Sequence, residues 1–142
     1  MPLKIRHLDG GRGLFAKATG RLSGNELIFG VAIVNPATLA EMPVLYAIVD
    51  FNGVTEVAIS TDQLHAAAEI SIEASRRQQV GRLVAIYAKG DLMFALARMW
   101  LVFVEQTGWQ AIVCRERSEA VSWVRERMAT LFGVQVPPDL DV

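Results

Sequence analysis

The chain has little of what several function classes require. One cysteine, Cys114, stands among 142 residues. It excludes a disulfide framework and a cysteine-built metal site, and a reducing, cytoplasmic compartment is expected. The two histidines, His7 and His65, fall far apart in the chain, so no metal centre is expected. Positive charge is not massed anywhere. Lys and Arg number 14 against 15 Asp and Glu, and the C-terminal arginines are interleaved with Glu116, Glu119 and Glu126. Nucleic-acid binding needs a basic stripe, so none is expected. The longest apolar tract, Leu92 to Val104, holds 13 residues and contains Arg98. A transmembrane helix needs about 20 apolar residues, so no membrane span is expected. The N-terminal MPLKIRHLDGG lacks the apolar core of a signal peptide. No serine sits in a glycine-flanked elbow, and no cofactor motif is present.

What remains is a chain 52% apolar and 20% charged, the composition of a folded domain. One domain over residues 1–133 is expected, with 134–142 as a tail. Leu3 to Leu8 and Leu14 to Ala18 read as a hairpin joined by Asp9 to Gly13, DGGRG. That GGxG leads into another strand, not into a helix, so it reads as a turn and not as a phosphate loop. Ser23-Gly-Asn-Glu26 is a capping box, S-x-x-E, and predicts a helix over 24–34. Asn35-Pro36 ends it. Val44 to Val49, Leu83 to Ala88 and Trp109 to Cys114 read as buried strands. Helices are predicted over 61–79, 91–106 and 118–132, the last stopped by Gly133.

Strand alternating with helix after a hairpin predicts an α/β fold: a mixed sheet with an N-terminal hairpin, three parallel strands and about four helices. Ligands in such sheets gather beyond the carboxyl ends of the strands. Three segments are expected there: Asp50 to Thr61 across an Asn52-Gly53 turn, Lys89 to Asp91, and Arg115 to Ser118. The candidate ligand or switch residues are therefore Asp50, Ser60, Thr61, Lys89 and Asp91. Each has a plainer reading. Ser60-Thr-Asp-Gln63 fits the S-x-x-Q capping box. Asp91 reads more simply as a helix cap, and Lys89 as an exposed turn residue.

The order of elements resembles the STAS domain of anti-sigma-factor antagonists. Closer still is a resemblance to the SpoIIAA-like branch of the STAS and lipid-transfer superfamily. DFNGVTE (Asp50 to Glu56), AIYAKGDLMFALARMW (Ala85 to Trp100) and GWQAIVCRERSEAVSWV (Gly108 to Val124) carry it. The resemblance implies a STAS/SpoIIAA-like single-domain fold and a serine switch at Ser60. The family's acidic residue before that serine and the glycine after it are missing, since Ala58, Ile59, Thr61 and Asp62 surround it.

Leu92 to Val104 is apolar all round except at Arg98, whereas a helix on a sheet needs only a stripe a little over 100° wide. Its second face needs a cover, and Arg98, Trp100 and Phe103 mark the candidate interaction surface. The expectation is a non-catalytic regulatory module that binds a protein partner or a second copy of itself. The alternative is a carrier of a small apolar ligand or lipid, and no cofactor is expected under either.

Overall fold

The computed structural model describes residues 3–35, 43–78 and 81–137. Five strands and four α-helices follow in the order β1 (Leu3–Leu8), β2 (Gly13–Ser23), α1 (Gly24–Val34), β3 (Tyr46–Ala58), α2 (Thr61–Arg77), β4 (Leu83–Tyr87), α3 (Asp91–Phe103), β5 (Gln110–Cys114) and α4 (Arg117–Phe132). They form an α/β fold on one mixed sheet. Its spatial order is the chain order, β1-β2-β3-β4-β5, with β1 antiparallel to β2 and every other pair parallel.

The DGGRG turn closes the hairpin with Asp9, Gly10 and Gly11 all at positive φ (53°, 64° and 98°), a run that glycine makes cheap. From β2 onward each crossover steps to the next strand in one direction. A constant hand of crossover then keeps every crossing helix on one face. Accordingly α1, α2 and α3 share one face of the sheet. Helix α4 follows the last strand and crosses nothing, so it is free to return over the opposite face.

Two cores result. On the α4 side, Tyr46, Ile48, Leu83, Ala85 and Tyr87 pack against Ala120, Val124 and Met128. On the other side, Leu22, Phe51, Val84 and Ile86 pack with Met93 and Ala97 of α3. The strand residues alternate between the two, as a pleated sheet requires. Val134 and Val136 also join the α4-side core, and Arg125 donates to the carbonyl of Pro137. The remainder of the expected tail lies outside the described residues.

Asn52-Gly53 does not turn the chain. β3 runs straight through it to Ala58, because β2 extends to Ser23 alongside and supplies ladder partners out to Ser23↔Ala58. Pairing with a neighbour overrides the local turn preference. The mismatch is taken up by register shifts between Lys17 and Thr19 and between Gly20 and Arg21. Gly53 serves close approach instead: a Cβ there would lie 2.8 Å from the Thr19 methyl.

Candidate functional site

The face that carries α1, α2 and α3 is not filled. Helix α2 packs mainly on α1 and on α3 with the turn after it, and hardly on the strands. Beneath it lies an apolar cavity of about 110 Å³. Its floor is the alternate-residue face of the sheet: Leu14 and Ala16 of β2, Ala47 and Val49 of β3, Val84 and Ile86 of β4. Leu27 and Val31 of α1, Leu64 of α2, and Leu96 and Trp100 of α3 form the walls and roof.

Small side chains create the space. Ala16, Ala47, Ala67, Ala97 and Gly30 all line it, where branched residues would close it. Ala16 and Ala47 keep accessible surface although they belong to inner strands, because that surface faces the cavity. Gly30 has a second reason to be glycine. A Cβ there would run into the end of the Leu3 side chain, which would have to shift.

One end of the cavity is polar. Arg82, immediately before β4, is only 6% exposed and lines it together with Asn35 and Trp109. The guanidinium donates from Nη1 to Asn35 Oδ1 (2.7 Å), from Nη2 to Gln78 Oε1 (3.0 Å) and from Nε to the Val44 carbonyl (3.3 Å). Its carbon lies 4.5 Å from the centre of the Trp109 ring, a cation–π contact. Asn35 is held in turn, donating from Nδ2 to the Val31 carbonyl at 2.9 Å. Burial lowers the Arg82 pKa to about 10, so the group stays charged at neutral pH. Among the described residues Arg82 is the one ionisable side chain in the lining.

The residues singled out from sequence do not form one site. Asp50, Lys89 and Asp91 do come near one another at the carboxyl ends of the strands. Asp50 Oδ1 accepts from the Asn52 amide (2.8 Å), Asn52 Oδ1 accepts from the Lys89 amide (2.8 Å), and Arg115 donates to the Lys89 carbonyl (2.8 Å) and to Asp91 Oδ1 (3.0 Å). Arg115 also lies over the Phe94 ring at 3.8 Å. Asp91 is the first residue of α3 and makes no side-chain cap; its carboxylate goes to Arg115 instead.

Ser60 and Thr61 lie elsewhere. β3 carries the chain eight residues past Asp50 to Ala58, roughly 26 Å at about 3.3 Å per residue. Ser60 closes a capping box there: its hydroxyl accepts from the Gln63 amide (3.1 Å), and Gln63 Oε1 accepts from the Ser60 amide (2.9 Å). Of the α3 residues, Arg98 is exposed, Trp100 turns into the cavity, and Phe103 stacks on His65 with ring centroids 3.6 Å apart. The outward stripe of α3 is made by Leu92 (59% exposed), Met99 (38%) and Val102 (66%).

The opposite face of the sheet, beside α4, is open over β1 and β2. Lys4, Arg6 and Lys17 project there with Arg117 around a basin that also meets Asp50 and Tyr87. The Tyr87 hydroxyl oxygen is shut from solvent and has no hydrogen bond of ordinary geometry. Burial first, then the Asp50 carboxylate, raises its pKa. Cys114 is buried, and burial first, then Glu119, raises its thiol pKa, the opposite of what a nucleophile needs. Among the described residues no three His, Cys, Asp or Glu side chains are grouped to hold a metal ion, and no helix is long and apolar enough to cross a membrane.

The sequence signal for the cavity was the excess of small residues at inward positions, which composition alone does not distinguish from tight packing. Arg82 gave a weaker signal, a cation abutting the apolar run LVAIYA. In comparisons with protein-family models, curated proteins and solved structures, nothing matches this chain, and the reading of the site rests on its own geometry.

Proposed function

We propose that this chain is a non-catalytic binding module that carries a small apolar molecule between its sheet and the α1–α3 layer. The observation that carries this reading is the unfilled apolar cavity of about 110 Å³. Protein interiors pack like organic crystals, and among the described residues this apolar space stays open between sheet and helices, so an apolar molecule placed there would bury its surface. The cavity's volume suits a single ring or a short chain, since sites for drug-sized ligands run to about 300–1,000 Å³. Among the described residues the lining offers no acid–base pair, Arg82 being its one ionisable group, which supports binding over catalysis. The resemblance to STAS/SpoIIAA-like proteins, whose fold relatives include lipid-carrying domains, agrees with the same reading.

The test is denaturing extraction of the purified protein followed by mass spectrometry. A stoichiometric apolar compound, absent from an Ala47→Leu variant, is expected. A blank from the parent chain overturns the reading.

The exposed stripe of Leu92, Met99 and Val102 favours a second reading, in which α3 docks on a protein partner or a second copy. Contiguous exposed apolar surface marks such sites. Concentration-dependent sedimentation that Val102→Glu abolishes is the expected result, and a monomer at every concentration that also captures no partner counts against it.

A further inference from the structure

We infer that the ligand bears a carboxylate, held by Arg82 at the polar end of the cavity while its apolar part fills the space under α2. The inference rests on the carrier reading and adds the chemical class of the cargo. Its ground is the state of the guanidinium. A buried cation is costly unless an opposite charge and hydrogen bonds satisfy it. Arg82 is 6% exposed, and its three acceptors are an Asn amide, a Gln amide and a backbone carbonyl, all neutral. Among the described residues no charged group of either sign acts on it, and burial accounts for its lowered pKa.

Its hydrogen-bonding capacity is also only partly used. A guanidinium has five N–H donors. Among the described residues one from Nε, one from Nη1 and one from Nη2 are used, which leaves one on each terminal nitrogen. Two donors on adjacent nitrogens suit the two oxygens of a carboxylate. Trp109 shields the group from one side, and the Asn35 and Gln78 amides fix its orientation. A structural arginine that only tied α1 to β4 would not need to line an apolar cavity. This one does, so an amphiphilic acid would find tail and head sites already joined.

The test uses hexanoate, hexan-1-ol and hexylammonium, which share a tail and differ in head, titrated by calorimetry near neutral pH. Hexanoate is expected to bind about tenfold or more tighter than hexan-1-ol, the gain of a charge-assisted hydrogen bond, and hexylammonium is expected not to bind. Arg82→Gln should remove the preference and leave hexan-1-ol binding in place. Arg82→Lys, a point charge without the planar fork, should keep only part of it. If Arg82→Gln does not fold, the three probes on the parent chain still decide.

Ala47→Leu controls for the basic basin on the far side of the sheet. It fills the cavity and leaves that basin intact, so hexanoate binding that survives it overturns the assignment to Arg82. Hexan-1-ol binding as tightly as hexanoate overturns the carboxylate and leaves the cavity reading standing. Failure of both probes to bind overturns the two together.

Discussion

Arg82 Nη1 and Asn35 Oδ1 lie 2.7 Å apart in the interior, joining the end of α1 to the start of β4 across 47 residues of chain. The bond is short, charge-assisted and shielded from water, the conditions under which a hydrogen bond counts most. Removing the amide leaves a buried cation with one acceptor fewer. Asn35→Ala should therefore lower stability by about 1.5–3 kcal/mol, read from urea unfolding. In an Arg82→Met background the same change should cost much less, since the partner is gone. Equal losses in both backgrounds would mean that the cap on α1 matters and the ion contact does not.

Filling the cavity should uncouple stability from binding. Ala47→Leu adds apolar volume where the floor is open, and most core enlargements cost about 1–3 kcal/mol because no room exists. Here an unchanged or higher melting temperature is expected, together with loss of apolar probe binding. A large drop in melting temperature would show that the space is not open to a side chain.

Ser60 distinguishes a cap from a switch. Its hydroxyl accepts from the Gln63 amide, so Ser60→Ala should cost about 1 kcal/mol, while Ser60→Asp, also a good N-cap, should retain most of that. Thermal or urea unfolding of the three proteins reads the difference directly. An aspartate variant as weak as the alanine one would contradict the capping role.

Alkaline pH should expose the two tyrosines. Burial first, with the Asp9 charge at Tyr46 and the Asp50 charge at Tyr87, raises both phenol pKa values in the fold. The unfolded chain thus releases these protons first as pH rises. Stability from both phenols is fully present below the unfolded value of about 10 and is lost above it. The Cys114 thiol, also raised, starts the decline near its unfolded value of about 8.5. Urea midpoints should fall from about pH 9 upward. Phenolate absorbance, which only Tyr46 and Tyr87 can give, should appear together with unfolding and not before it. Smooth ionisation of both in the folded protein would contradict their burial.

Local signals in the sequence were read correctly where chemistry is local. The capping boxes at Ser23 and Ser60, the hairpin turn at Asp9–Gly11 and the limits of α1 depend on residues within a few positions of one another. The Asn52-Gly53 turn was misread because its outcome depends on β2, thirty residues away, running on to Ser23. That error displaced the candidate site, since a straight β3 carries Ser60 away from Asp50. The outer face of α3 was legible as a helix with too many apolar residues, but which of them face outward was not: Trp100 turns in, and Val102 turns out. The cavity was illegible for a deeper reason. It is a deficit of volume shared by α1, α2, α3 and four strands, and no single stretch of sequence records a sum over seven elements.

Placing three helices on one face and a single helix on the other has an electrical result. The bare part of the sheet gathers Lys4, Arg6, Lys17 and Arg117 around one acid, Asp50, a local charge of +3 in a chain whose total is −1. The rest of the molecule therefore carries −4. At low ionic strength the protein should rotate its open sheet toward any acidic surface before touching it, and added salt should erase that preference.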